Sequence, residues 1–168
     1  MFFRWSRKKP ALAYPVLPAP PTAVLVPWFR PEGRVRIFPG GWDAEAAAFE
    51  PAAIAGSWPQ LATLLAERIP SLTHAVIVLA TSPNQLLTES RRDRLWQAFR
   101  VPVFEQIVDE DGTLLAAECE AHNGVHIESD ALSADPRLID PEPCGCGRST
   151  PRLRAARERV HAVAAYAR

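Results

Sequence analysis

The residues best equipped for chemistry are Cys119, His122, His126, Cys144 and Cys146, which include every cysteine of the chain and fall in one stretch of sequence. Zinc takes four ligands in a tetrahedron, prefers thiolate and imidazole, and fills closed structural sites with sets such as Cys3His. The sequence therefore predicts one structural zinc ion held by Cys119, Cys144, Cys146 and either His126 or His122. Gly145 and Gly147 free the backbone to wrap Cys144-Gly145-Cys146 around an ion and to turn amides toward the sulfurs. Three thiolates and one imidazole leave such a complex net negative, and Arg148 is a natural neighbour for that charge. His126 is the preferred histidine because it can face Cys119 across a hairpin, whereas His122 sits at the turn, where a side chain more easily points to solvent. His122 stays as the alternative ligand.

Other chemistries compete for the same residues. A redox pair at Cys144 and Cys146 is disfavoured because redox motifs usually space their thiols by two residues. A reading with buried cysteines and surface histidines but no ion accounts for Cys119, yet not for Pro143-Cys144-Gly145-Cys146-Gly147. His126-Ile127-Glu128 followed by Pro143-Cys144-Gly145-Cys146 echoes the H-x-E and P-C-x-x-C pattern of zinc deaminases, with Glu128 as proton shuttle. The second motif is one residue short, and those ligands belong on helix starts. Ser82, Ser90 and Ser129 lack a glycine-flanked elbow, and Asp109-Glu110-Asp111 beside Gly112 reads as a solvated turn. No catalytic residue and no further cofactor is assigned.

Elements must bring these donors together. Asn123-Gly124 separates the extended runs Leu114 to Glu120 and Val125 to Glu128, a strong hairpin signal because both turn residues tolerate positive φ. Upstream, Val35-Arg36-Ile37-Phe38 reads as a short strand. Ser57 and Gln60 form a capping box for a helix carrying Leu61, Leu64, Leu65 and Ile69, which Pro70 stops. The apolar run Ala75 to Ala80 predicts a strand covered on both faces. Thr88 caps a second helix with Leu95, Trp96 and Phe99 as its buried stripe, and Val101 to Val108 is another strand. The fold class is α/β: a small parallel sheet with crossover helices, then a zinc-bound β-hairpin and a C-terminal helix. Thr150 and Pro151 begin that last helix, with Leu153, Val160, Val163 and Ala164 among its apolar residues.

Seventeen prolines are many for 168 residues. Seven lie between Pro10 and Pro31, where fixed φ and missing donors exclude a regular helix and predict an extended arm that wraps the domain or reaches a partner. The domain plan is thus an arm over 1–31, a zinc-binding α/β domain over 32–150 and a helix over 151–168. Nineteen Lys plus Arg balance nineteen Asp plus Glu, so no bulk field collects nucleic acid. No apolar run is long enough to span a membrane. Met1 to Pro10 turns from apolar to basic, which leaves peripheral membrane contact as an alternative to a frayed terminus. An odd, closely grouped set of cysteines is not a secreted disulfide framework, and reduced thiols in the cytoplasm follow.

Four blocks carry a family likeness: Leu87-Thr88-Glu89-Ser90-Arg91-Arg92, Val101-Pro102-Val103-Phe104-Glu105, Ala117 through Ile127, and Cys144 through Leu153. Together, from about Ser57 to Leu153, they resemble part of the phenylacetate–CoA ligase family of adenylate-forming enzymes. Some members bind zinc through cysteines and a histidine in the last two blocks, so the resemblance implies Cys119, His126, Cys144 and Cys146 as ligands. Family enzymes place Tyr-Gly-x-Thr/Ser-Glu after the strand matched by Val101 to Phe104, where it meets the adenylate. Here the chain reads Phe104-Glu105-Gln106-Ile107-Val108-Asp109. The phosphate loop, the Thr-Gly-Asp that holds the ribose and the C-terminal domain with its catalytic lysine have no counterpart, and phosphate cradling needs free amides and a cation together. The expectation is a truncated, non-catalytic remnant, held by zinc, that acts as a binding or accessory subunit of a larger complex through the proline-rich arm and the arginine-rich C-terminal helix. The alternative is a small enzyme, either half of a split CoA ligase completed by a partner or a zinc-dependent hydrolase or deaminase using Glu128.

Overall fold

A computed structural model of the chain describes residues 9–154. Among them, nine strands share one sheet: Thr22–Val24 (β1), Val35–Ile37 (β2), Ala53–Gly56 (β3), Ala75–Ala80 (β4), Val103–Val108 (β5), Leu114–Glu118 (β6), Val125–Ile127 (β7), Ile139–Asp140 (β8) and Arg152–Leu153 (β9). Their spatial order is β2-β1-β3-β4-β5-β6-β7-β9-β8. The pairs from β2 through β5 are parallel, and every pair from β5 onward is antiparallel. The small parallel sheet and the separate hairpin expected from the sequence are therefore two halves of one larger sheet.

In the parallel half, alternate residues serve two cores. Leu25, Ile54, Val76, Val78 and Val103 face one layer, packed by the helices Ala44–Ala48 (α1), Trp58–Thr63 (α2) and Glu89–Phe99 (α3) through Ala46, Leu61 and Leu95. Val24, Ala53, Ala55, Ile77, Leu79 and Phe104 face the other layer, where Leu12, Tyr14 and Phe29 take the place of helices. The proline-rich segment is thus no free arm. Its prolines cluster before and after β1, at Pro20, Pro21 and Pro27, so the strand keeps its own donors, and Thr22 N–H reaches Arg34 O at 3.0 Å. Further tethers fix the strap: Tyr14 Oη lies 2.8 Å from His74 Nδ1, and the Gln106 side-chain amide donates to Ala13 O. Burial pushes the Tyr14 hydroxyl up to about 12. A boundary at residue 31 would cut β1 from its two neighbours.

Other expectations need correction. Ser57 N–H does bond Gln60 Oε1 at 3.0 Å, but α2 ends at Thr63 rather than at Pro70, and Leu65 and Ile69 pack against the core from the turn beyond it. On α3, capped by Thr88, Leu95 is buried while Trp96 is 48% exposed, so the stripe is narrower than its apolar residues suggest. The C-terminal helix does not begin at Pro151. Arg152–Leu153 pairs with His126 and Val125 on one side and with Asp140 and Ile139 on the other, which commits its backbone to the sheet. The rest of that expected helix, over 155–168, lies outside the described residues.

Candidate metal centre

Three segments deliver the four donors. Cys119 follows directly on β6, whose register with β7 places Ala117 opposite His126 and Glu118 opposite Val125. The turn between them is tight: His122 N–H donates to Cys119 O at 3.0 Å, with φ of 48° at His122 and 84° at Gly124. A Cβ on Gly124 would stand 2.5 Å from Leu153 O, so glycine is required for both its conformation and the approach of β9. His126 is held between Ala117 and Arg152 on the neighbouring strands and is fully buried. Cys144 and Cys146 come from a turn closed by Gly147 N–H on Cys144 O at 2.9 Å, with Gly147 at φ 84°.

The ligand atoms of Cys119, His126, Cys144 and Cys146 all lie within 4.8 Å of one another, and this cluster could hold a metal ion. Cys119 Sγ is 3.6 Å from Cys144 Sγ, and Cys146 Sγ is 3.5 Å from His126 Nε2. A tetrahedron with ordinary zinc–sulfur and zinc–nitrogen bonds has edges of roughly 3.5–3.8 Å, so both distances match edges of such a site. The other imidazole nitrogen, Nδ1, faces Thr150 Oγ1 at 2.9 Å and Thr150 O at 3.2 Å. This is the partner that fixes a ligating histidine's ring and leaves Nε2 aimed at the ion. The Cys146 backbone N–H holds the Cys144 thiol down at about 6, against the pull of burial, while burial pushes the Cys119 thiol up to about 11.

His122 lies apart from this cluster. Its Nδ1 is 3.3 Å from Glu118 Oε1, and its ring stacks at 4.8 Å on Phe104. Glu128 forms an ion pair with Arg148, so the two residues set aside for proton transfer and for charge compensation are joined to each other.

The sequence reading missed the polar groups around the site. Arg92, on α3, bridges two buried carboxylates, Glu105 Oε2 at 2.6 Å and Glu118 Oε2 at 2.9 Å. Glu105 also accepts from Leu87 N–H, and burial pushes its carboxyl above the usual carboxylate range against the pull of that N–H and of Arg92. The buried Arg152 reaches Asp140 at 2.6 Å and Asn123 O at 3.0 Å, binding the hairpin turn to the segment before the Cys-Gly-Cys loop. A cleft of about 210 Å³ is lined by Arg92, Glu105 and Glu118 of this network together with Val125 and Leu153. No local motif marks these pairs, because they arise from cross-strand register.

No family model and no curated protein matches this chain. Solved structures do. It is similar to 2-hydroxyisobutyryl-CoA ligase in an open conformation with 2-HIB-AMP and CoA, with a TM-score of 0.57 and 15% identity over 80% of this chain and 44% of that one. The same ligase in its postadenylation state with R3-HIB-AMP gives a TM-score of 0.55 and 14% identity over 82% of this chain and 43% of that one. The fold is therefore that of part of a CoA ligase, and the chain spans less than half the length of the ligases it matches.

Proposed function

We propose that this chain is a structural zinc protein built on a portion of the CoA ligase fold, patterned after the phenylacetate–CoA ligases, and that it serves a larger cytoplasmic complex as a non-catalytic binding or accessory subunit. The observation that carries the zinc is the closed donor set: Cys119, His126, Cys144 and Cys146 gathered within 4.8 Å, with Thr150 steering the imidazole. Four protein ligands complete a tetrahedron and leave no position for a reactive water, which supports a structural ion over a catalytic one. Glu128, tied to Arg148, is not free to shuttle a proton. The ion would join the β6–β7 turn to the loop before β9, and ligand binding of this kind contributes directly to folding free energy.

A non-catalytic role is supported by β5. Where the ligase pattern calls for Tyr-Gly-x-Thr/Ser-Glu, the chain reads Phe104-Glu105-Gln106-Ile107-Val108-Asp109, and the Glu105 carboxylate is consumed by Leu87 N–H and Arg92. Docking to a partner falls to the sequence ends, since the segment from Pro10 to Pro31 is built into the sheet and its second core. Arg157 and Arg159 supply positive charge at one end and Arg7, Lys8 and Lys9 at the other.

The test is elemental analysis of the purified wild-type chain against Cys119→Ser and Cys144→Ser, with ATP and CoA binding followed by calorimetry. Zinc in the wild type alone, and no heat from either ligand, is the expected result. Saturable ATP or CoA binding would replace this reading with that of a ligase half completed by a partner subunit.

A further inference from the structure

We infer that the metal centre is also a site of reversible oxidation by peroxides, in which Cys119 and Cys144 join in a disulfide and Cys146 stays a thiol. The inference rests on the zinc reading above and adds the regulation of that site. Three facts of geometry carry it. Cys119 Sγ and Cys144 Sγ stand 3.6 Å apart, so modest side-chain rotation closes them to bonding distance. Cys146 Sγ, although within 4.8 Å of the other donors, is paired with His126 Nε2 at 3.5 Å, and a bond from it to Cys144 would have to close across a single intervening residue. Cys119 is half-buried, so a small oxidant reaches the pair from its side, and Cys144 lies buried behind it.

The chemistry balances with hydrogen peroxide as the oxidant. One sulfur of the Cys119–Cys144 pair, as thiolate, attacks one peroxide oxygen, the S–O bond forms as the O–O bond breaks, and the departing hydroxide takes up a proton as water. The other sulfur of the pair, as thiolate, then attacks the sulfenic sulfur; the S–S bond forms, the S–O bond breaks, and a second hydroxide leaves as water. The two sulfurs together lose two electrons and the peroxide gains them. The disulfide withdraws two of the four donors, and Cys146 with His126 cannot retain the ion against a chelator. The β6–β7 turn and the Cys-Gly-Cys loop stay tied, now covalently, so oxidation changes metal content without releasing the fold.

The experiment uses the full chain, with zinc measured before any oxidant is added. Hydrogen peroxide is then titrated in the presence of a chromogenic chelator, and linkages are mapped by alkylation and mass spectrometry. Expected are loss of the bound zinc in step with one Cys119–Cys144 bond, an alkylatable Cys146, and recovery of zinc binding after a thiol reductant. A Cys144–Cys146 bond, or sulfinic acid without any disulfide, would overturn the inference. Absence of zinc before oxidation counts against the metal reading alone, because the linkage map on the metal-free chain still decides which sulfurs pair.

Discussion

The two halves of the sheet are held together by different physics. In the parallel half, β1, β3, β4 and β5 each feed one core under helices and another under the proline-rich strap, and Ile54, Val76 and Ile77 are wholly buried. Stability there comes from apolar area removed from water. In the antiparallel half the apolar cluster is smaller, led by Ile107, Ala116, Val125 and Leu153, and the buried residues include Glu118, His126 and Arg152. Strands of two or three residues at β7, β8 and β9 cannot hold a sheet edge by ladder bonds alone. This half depends on specific polar pairings and, on the zinc reading proposed above, on four metal donors, so it should fail locally while the parallel half stands.

Cys144→Ser should separate the two halves most widely. Zinc is lost, and with it a stabilisation on the order of 4 kcal/mol at free zinc about a thousandfold above its Kd. Hydrogen exchange should show protection gone from β6 to β9 and kept in β3 to β5. Ile77→Ala probes the other half: with the residue wholly buried, the expected loss is about 3 kcal/mol in a denaturant melt, global rather than local, with zinc binding intact in the folded fraction.

Glu118→Gln tests the seam between the halves. Its side chain is 2% exposed and shares the Arg92 guanidinium with Glu105, so neutralising it should cost about 2 kcal/mol in the same melt while leaving every zinc donor in place. The smallest effect belongs to Thr150→Val. It removes the hydroxyl facing His126 Nδ1 but leaves the Thr150 carbonyl at 3.2 Å, and a zinc competition assay should read about tenfold weaker affinity.

The same contrast governs what was legible in the sequence. Ala75 to Ala80 read as a buried strand because a continuous apolar run has few other uses, and α3 announced itself through Thr88 and helical spacing. β1 was hidden by its prolines, although they flank the strand rather than interrupt it, and β3 by small residues, Ala53-Ile54-Ala55-Gly56, that show no clear pattern until neighbours pack on them. Arg152 and Leu153 read as helix because Thr150 offers a cap, Pro151 suits a first helical position and Leu153 joins an apolar set further on; only register with β7 and β8 makes them a strand. At the site, the donors were legible because ligand chemistry resides in residue type. Thr150 and the Arg92–Glu105–Glu118 bridge were not, because the bridge exists only once Gln106 is set opposite Ala117 and the Thr150 contact only once Arg152 is set opposite His126.

The most direct measurement is elemental analysis of the full chain purified without added metal or metal-affinity resin, coupled to hydrogen exchange before and after chelation. One zinc per chain, whose removal strips protection from β6 to β9 and spares β3 to β5, is the predicted result. A metal-free chain with both halves equally protected, unchanged by chelator, would contradict it.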